Sequence, residues 1–319
     1  MPVLRATLVR LAILVASLVV ASVVIFALCA LLPGDIAQVI LGQSASPEAV
    51  QALREQLGTD RPAPMRYLEW ATGLLRGDLG SSYLTGDPVA TQIAGRLPVT
   101  AWLVGFGMLL AIVIAVPVGM LAAVRRRRLS GVLVSGASQL GLAVPAFWAG
   151  ILLVVVFAVR LRWLPANGYV ALTSDPGEWV RHLVLPVLAL AIVQSAVLVR
   201  YVRSALVEVL AEDYFRTARA VGWSYPGALL RHGLRNAALS VVTVLGLQLS
   251  TLLVGAIVIE SVFALPGLGQ LLLNAVAQRD LIMVQGTVMV LVLAVLLINF
   301  VVEWSYVIID PRLRSGASR

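Results

Sequence analysis

Six long apolar blocks, separated by polar stretches, dominate the hydropathy pattern of the chain. The blocks run near Leu8–Leu32, Pro98–Val124, Gly131–Val159, His182–Tyr201, Ala237–Val262 and Val284–Val307. A membrane-spanning helix needs about 20 mainly apolar residues, and each block reaches that length. The pattern therefore predicts an all-α integral membrane protein with about six transmembrane helices.

The composition agrees with a membrane location. Apolar residues make up 60% of the 319 residues and charged residues 13%, whereas soluble domains average about 45–50% and about 25%. The net charge of +8 is also typical of nucleic-acid binders, but here the charges fall between apolar blocks instead of along one face. We therefore expect a lipid bilayer and no nucleic acid as a partner.

The first block is longer than the apolar region of a secretion signal, and no small-residue cleavage pattern follows it. We expect it to be a retained helix. Cys29 is the single cysteine, which excludes an internal disulfide and predicts a small core residue.

Arginine placement predicts the orientation, because cytoplasmic loops of membrane proteins carry an excess of basic residues. All 24 basic residues are Arg. With a cytoplasmic N-terminus, 15 of them fall inside and nine outside, and the run Arg125–Arg128 gives the strongest indication. Both termini are therefore predicted to be cytoplasmic.

Three prolines interrupt the blocks: Pro117, Pro145 and Pro186. Each removes a backbone hydrogen bond, which in lipid must be recovered locally. Broken helices often line transport paths. For each proline taken alone, a kink that improves packing is the favoured interpretation.

The first outer segment, residues 33–97, carries helix start and stop signals. Ser46 is placed to cap a helix with Pro47 at its first position, and Gly58 to end it. Asp87 and Pro88 repeat the start signal before Gln92. We expect two short helices that cap the outer mouth, either as a docking surface or as a structural lid.

The cytoplasmic segment, Arg203–Arg235, is the most informative polar stretch. Arg216 follows Glu212 by four residues and Asp213 by three, so ion pairs can support a helix there. Gly222 is predicted to stop that helix and Ser224 to cap a second one, which tolerates Pro226 in its first turn. Helical spacing would place Tyr214, Ala218, Val221 and Tyr225 on one face.

Two functions fit such a segment. It would transmit force from a cytoplasmic partner into the membrane, or it would lie at the interface with its Arg side chains on anionic lipid. The residues alone leave both open and favour the lipid interpretation.

Several kinds of chemistry are missing from the sequence. It contains no GxxxxGK[ST] phosphate loop, which is impossible without Lys, no HExxH zinc site and no GxSxG nucleophile elbow. His182 and His232 lie far apart, and His232 is interpreted as a polar surface residue. Glu260 and Glu303 lie near the ends of apolar blocks, where pairing with Arg or snorkelling to the interface is favoured over a proton relay.

A series of motifs resembles binding-protein-dependent ABC transporter permeases of the dipeptide/oligopeptide family. Residues 213–222 (DYFRTARAVG) and 230–238 (LRHGLRNAA) resemble that family's cytoplasmic signature loop. Further matches follow in the correct order along the chain: Leu32-Pro-Gly-Asp35, Gly77-Asp-Leu-Gly80, Val144-Pro-Ala-Phe-Trp148, residues 260–269 (ESVFALPGLG), Arg279-Asp280, Gln285-Gly286 and Asp310-Pro-Arg312. Ser240 stands where the family usually has proline, which favours a straighter start to the fifth span.

The resemblance implies a type I ABC importer permease fold with a methionine-permease-like core. It implies an N-terminal transmembrane helix (1–32), an extracytoplasmic cap (33–97), a permease core (98–312) with a cytoplasmic coupling loop (203–235), and a cytoplasmic tail (313–319). The ATPase-coupling residues it implies are Asp213, Tyr214, Arg216, Thr217, Ala218, Ala220, Gly222, Arg231 and His232.

The same resemblance implies a non-catalytic, multi-pass subunit of the bacterial inner (plasma) membrane that translocates di- and oligopeptides. Its expected partners are a second homologous permease subunit, two ATP-binding subunits that carry ATP and Mg, and an extracytoplasmic solute-binding protein. No cofactor is expected in this chain. Alternative cargoes are nickel chelates, glutathione or another small solute, and a stand-alone secondary transporter is less favoured.

Overall fold

The computed structural model describes residues 2–31, 35–42 and 44–309, and helices dominate these ranges. The α-helices there are α1 (Pro2–Leu31), α2 (Ile36–Leu41), α3 (Pro47–Leu57), α4 (Ala63–Leu75), α5 (Val89–Val124), α6 (Leu129–Ala143), α7 (Ala146–Leu153), α8 (Pro176–Val209), α9 (Asp213–Ala220), α10 (Tyr225–Ala228), α11 (Leu234–Val262), α12 (Leu268–Ala277) and α13 (Leu281–Ile309). A π-helical stretch continues α7 over Val154–Arg160, and another continues α10 over Leu229–Gly233. The predicted all-α class is confirmed.

Five helical stretches in the described part of the chain are long and apolar enough to cross a membrane. They are Thr7–Leu31, Val89–Val124, Pro176–Val209, Val244–Val262 and Leu281–Val302. A bent helix pair, Leu129–Ala143 with Ala146–Arg160, brings the number to six if it counts as one span. This agrees with the predicted number of about six.

The third predicted span, Gly131–Val159, is not a straight helix. The chain bends by 98° between α6 and α7. Val144 is extended, with φ −87° and ψ 116°, directly before Pro145. A proline ring clashes with helical backbone at the preceding residue, and this explains the position of the break. The interpretation of Pro145 as a simple packing kink is therefore wrong.

The other two prolines do not interrupt their helices. Pro117 lies within α5 and Pro186 within α8, and both helices continue past them. Helix α8 also begins six residues before the predicted block, because the Asp175 side chain accepts hydrogen bonds from the N–H groups of Gly177 and Glu178 at 2.8 and 3.1 Å.

One of the two predicted helices of the outer segment is confirmed. The Ser46 hydroxyl accepts from the Ala49 N–H at 3.2 Å, Pro47 occupies the first turn of α3, and Gly58 has a φ of 67° after its end. Gly58 lies in the left-handed region, which a glycine adopts at no steric cost. The start and stop signals in the sequence were therefore sufficient to predict α3.

The second predicted short helix is instead the beginning of the 36-residue helix α5. A helix of that length spans about 54 Å, whereas the hydrocarbon core is about 30 Å thick, so α5 extends beyond a bilayer. Two further helices of the outer segment, α2 and α4, were not predicted. Helix α4 has no side-chain cap hydrogen bond, and the Asp35 cap of α2 accepts from Ala37 N–H at 3.0 Å.

The chain divides into two compact units. The first contains the described residues up to Val99 together with Pro266–Leu297. The second contains Thr100–Leu265 together with the described residues from Ile298 onward.

Helix α8 is the central helix of the second unit, where α6, α7 and α11 pack against it. A methyl group at Gly119 of α5 would lie 2.7 Å from the Val202 side chain of α8. Only a residue without a side chain permits this approach, as is usual for close helix pairs in membranes.

In the first unit, Asp280 joins the outer segment to the start of α13. Its buried carboxylate accepts hydrogen bonds from the Ser82 hydroxyl, from Tyr83 N–H at 3.4 Å and from Met283 N–H at 3.3 Å. The last of these caps α13, so a single side chain fixes two parts of the unit that are far apart in sequence.

We predict that Asp280→Ala lowers the free energy of unfolding of the first unit by about 2–3 kcal/mol, because it leaves buried donors without their charged acceptor. The measurement is the thermal unfolding midpoint of the detergent-solubilised chain. Asp60→Ala, which removes an exposed carboxylate of the same segment, is the control. Equal midpoints for the two variants would contradict the prediction.

Candidate functional site

The candidate site is a short helical hairpin, residues 213–228, formed by α9 and α10 between the long helices α8 and α11. We call it the hairpin. The orientation predicted from the Arg distribution places it on the cytoplasmic side. It contains seven of the nine predicted coupling residues, and Arg231 and His232 follow in the π-helical turn.

The first turn of α9 holds Asp213, Arg216 and Thr217. Arg216 Nη1 lies 3.2 Å from Asp213 Oδ1, which is one of the two ion pairs that the spacing allows. Both side chains are mostly exposed, at 72% and 94%, so the pair adds little stability. The Thr217 hydroxyl donates to the Asp213 carbonyl at 2.9 Å. These polar groups are therefore available to a partner.

Gly222 ends α9 as predicted. Its φ is 101°, its N–H donates to the Arg219 carbonyl, and Trp223 N–H donates to the Ala218 carbonyl, both at 3.2 Å. This pair of bonds is the Schellman arrangement, which needs a residue in the left-handed region. Ser224 then starts α10 as predicted, because its hydroxyl accepts from Gly227 N–H at 3.2 Å.

The single face predicted for Tyr214, Ala218, Val221 and Tyr225 does not extend past Gly222 to Tyr225. Tyr214 is 41% exposed and Val221 76% exposed, whereas the buried residue of α9 is Phe215. Its ring meets the Tyr225 ring edge to face, with centroids 5.8 Å apart. Gly222 reverses the chain between Val221 and Tyr225, so helical spacing cannot be extended from one to the other.

Residues on both sides of the turn form an aromatic and cationic cluster around Trp223. The His232 ring lies edge-on to Trp223 at 5.5 Å, and the Arg231 guanidinium lies 5.3 Å from the Trp223 ring centre. Arg219 donates to the Trp223 carbonyl at 2.6 Å and lies 5.6 Å from the Tyr225 ring centre. These cation–π contacts hold Arg231 against the Trp223 ring and Arg219 against the Tyr225 ring.

His232 is therefore not a simple polar surface residue. It is half-buried against Trp223, and its Nε2 is buried with no hydrogen-bond partner among the described residues. Phe215, Arg219 and Trp223 belong to the site as well, although none was predicted. Their aromatic and basic side chains within a polar segment were the sequence signal from which they could have been predicted.

A buried apolar cluster connects the hairpin to the membrane helices. Ala228 is fully buried in α10, and Leu229 directly after it packs into a cluster with residues of α5, α8 and α11: Ala123, Val202, Ala205, Leu206, Val209 and Ala237. Tyr225 packs against the same cluster. The hairpin is thus fixed to three long helices of the second unit at once.

The exposed side of α9 presents Tyr214, Ala220 and Val221. Partial burial, and secondarily the nearby Glu212 carboxylate, raise the pKa of the Tyr214 hydroxyl above its ordinary value. The phenol therefore stays neutral at physiological pH. This surface combines an apolar patch with the exposed Asp213 and Arg216.

Glu260 is fully buried in the second unit and accepts from the Thr100 hydroxyl at 2.6 Å. Snorkelling to the interface is therefore wrong for Glu260.

The Glu303 side chain and residues 310–312 lie outside the described residues. The Ser240 side chain does too, although α11 is continuous through that position. Over the described ranges, no group of three or more His, Cys, Asp or Glu residues is arranged to hold a metal ion.

Two family models match the chain. Residues 115–315 match "Binding-protein-dependent transport system inner membrane component", and residues 3–104 match the N-terminal part of such membrane components. Together these matches include both units and the hairpin.

Several relatives are similar over nearly the whole chain. A putative peptide transport system permease protein of Brucella abortus is 42% identical, over 93% of this chain and 95% of its own length. The glutathione transport system permease protein GsiC of Escherichia coli is 40% identical, over 94% and 96%. A probable peptide ABC transporter permease protein of Sinorhizobium fredii is 38% identical, over 96% and 97%.

A solved structure shares the fold. A chain of the MetNI methionine ABC transporter, in an inward-facing conformation, superposes with a TM-score of 0.59. The identity is 18%, and the match covers 68% of this chain and 96% of that chain. This supports the predicted methionine-permease-like core. By its family matches, its relatives and its apolar helices, the chain belongs to the inner membrane components of binding-protein-dependent transport systems and is a multi-pass permease of the inner membrane.

Proposed function

We propose that this chain is the permease subunit of an ATP-driven importer of di- and oligopeptides, and that the hairpin couples it to a separate ATPase. The observation that carries the proposal is the packing of Tyr225 of the hairpin, and of Leu229 directly after it, into a buried cluster with residues of α8 and α11. Relatives named as peptide permeases support the cargo.

In this proposal, the exposed side of α9 docks on the ATPase. Tyr214 and Val221 supply apolar area, and Asp213 and Arg216 supply charges that orient the contact. Phe215 and Tyr225 hold the other side of the hairpin against the buried cluster. A push on α9 would therefore move the membrane helices instead of only bending a loop, which is the property a two-state switch requires.

The energy source lies outside this chain. The sequence lacks a phosphate loop, so ATP and Mg would bind to two partner ATPase subunits, and this chain would be non-catalytic and hold no cofactor. A second homologous permease subunit would complete the path through the bilayer. An extracytoplasmic solute-binding protein would deliver the peptide.

Glutathione is the second candidate cargo. The relative named as a glutathione permease is 40% identical to this chain, close to the 42% of a relative named as a peptide permease. Because glutathione is itself a tripeptide, one path would suit both cargoes.

We predict that Gly222→Val weakens association with the ATPase about 5- to 30-fold. Left-handed backbone costs a residue with a side chain about 1–2 kcal/mol, and the same loss of binding free energy corresponds to that factor. A side chain at Gly222 would meet nothing within 4 Å, so the effect comes from the backbone alone. The measurement is co-purification of the ATPase with the permease.

Gly86→Val is the matched control for that experiment. Gly86 has a φ of 75° and equally open surroundings, but it lies in the outer segment. The same backbone strain there should leave ATPase association unchanged. Intact co-purification and intact substrate-stimulated ATP hydrolysis in Gly222→Val would refute the docking role.

We predict that deletion of the gene abolishes uptake of labelled di- and oligopeptides, because the importer then has no complete path. Re-expression of the chain from a plasmid should restore uptake. Unchanged peptide uptake with loss of glutathione uptake would instead assign the cargo to glutathione.

A further inference from the structure

Helix α4 of the outer segment packs against α1 partway along the apolar stretch of α1. The Tyr67 hydroxyl of α4 donates to Ser22 Oγ at 3.0 Å, because the Ser22 hydroxyl itself donates to the Val19 carbonyl at 2.7 Å. The centre of the Phe26 ring of α1 lies 5.5 Å from the centre of the Tyr67 ring and 6.3 Å from that of Trp70. These contacts fix α4 to α1 within the first unit.

The position of the contacts along α1 gives the depth of α4. The apolar stretch Thr7–Leu31 has 25 residues. At 1.5 Å per residue it is about 37 Å long, which exceeds a hydrocarbon core of about 30 Å by about 7 Å. Ser22 lies nine residues before the end of that stretch, which is about 13 Å. Even if all the excess length projected on the outer side, Ser22 would lie about 6 Å inside the core. The Tyr67 hydroxyl, and the helix that carries it, therefore lie at the level of the outer leaflet.

Helix α4 has an exposed apolar face beside its contact with α1. Met65, Leu68 and Leu75 are 54%, 60% and 88% exposed. At 3.6 residues per turn, Leu68 and Leu75 lie about a third of the way around the helix from the side that Tyr67 and Trp70 turn to α1. Several large apolar side chains exposed on one face of a helix indicate contact with lipid or with another protein.

The remaining side of α4 is charged. Arg66, Glu69 and Arg76 lie within about a quarter of the helix circumference at 3.6 residues per turn. Glu69 pairs with Arg61 at 2.8 Å, and both of these side chains are more than half exposed. A helix with one charged and one apolar side is typical of the membrane–water interface, where its apolar face is buried about 5–10 Å below the headgroups. The residue pattern of α4 thus agrees with the depth obtained from α1.

The surroundings of α4 favour lipid over protein as the material that covers its apolar face. The most apolar window of α1, the neighbour of α4, is only 17% buried. Val20 and Leu28 of α1 are 63% and 60% exposed. An apolar helix that crosses a bilayer with this exposure is surrounded by acyl chains on most sides. The exposed face of α4 lies beside such a helix and at the same depth.

We propose that α4 is inserted in the outer leaflet and that phospholipid acyl chains cover Met65, Leu68 and Leu75. Its charged side, with Arg66 and Glu69, faces headgroups and water. The outer segment is then held by lipid as well as by α1. This inference goes beyond the proposed function, because it involves neither the ATPase nor the cargo.

The test is fluorescence quenching of single-cysteine variants of the full-length chain in phosphatidylcholine vesicles. Cys29→Ala provides the background, so that each variant carries one thiol, which is labelled with bimane. Two quenchers are compared: phosphatidylcholine with brominated acyl chains, and iodide in the water on both sides of the membrane. For Leu68→Cys we expect a large loss of fluorescence with the brominated lipid and little loss with iodide, because the label lies among acyl chains.

Two positions provide matched controls. Val20→Cys, on the exposed side of the α1 span, gives the response of a site in lipid. Glu69→Cys, directly after Leu68 but on the charged side, gives the response of a site in water. The loss of fluorescence at Leu68→Cys should match that at Val20→Cys with both quenchers. If Leu68→Cys lowers the yield of folded protein, Leu75→Cys decides the question with the same expected result.

Two results would overturn the proposal. Quenching of Leu68→Cys by iodide as strong as that of Glu69→Cys would show that the apolar face of α4 lies in water. Absence of quenching by either agent would show that protein covers this face. Neither result depends on whether the chain transports peptide, so failure of this inference is distinguishable from failure of the proposed function.

Discussion

The apolar packing of the hairpin against three long helices is the constraint on which the functional account depends. Leu229 lies in a cluster with Val202 and Leu206 of α8 and Ala237 of α11, and Phe215 is held through the Tyr225 ring. A polar loop attached only at its ends would absorb a push. A loop fixed through a close-packed core transmits it, because such a core deforms little.

Elsewhere in the chain, as in the hairpin, exposed polar groups meet partners or solvent, and a few buried contacts fix how the segments pack. In the first unit the Asp280 carboxylate fixes the outer segment to α13. In the second unit, Thr100 donates to buried Glu260 on α11, which satisfies a carboxylate that would be costly in an apolar interior.

Local signals made much of the fold predictable. The apolar blocks predicted the number of spans. The helix starts at Ser46 and Ser224 and the helix end at Gly222 were also predicted correctly, because each of these residues acts on backbone a few residues away.

Contacts between distant residues were not predictable: Ser82 and Asp280 are 198 positions apart, and Thr100 and Glu260 are 160 apart. The face predicted to continue from α9 to Tyr225 also failed, since the turn at Gly222 interrupts helical spacing. The 98° bend at Pro145 falls where the residue before a proline avoids helical backbone, but its size is set by packing.

The most direct test of the central claim is solute uptake into proteoliposomes that contain this chain, with and without its ATPase partners. The account predicts uptake of labelled peptide only when the partners are present and ATP is supplied on the hairpin side. An ion gradient alone should drive none. Uptake by the isolated chain on an ion gradient, without ATP, would contradict the claim that nucleotide hydrolysis on another polypeptide reaches the membrane through the hairpin.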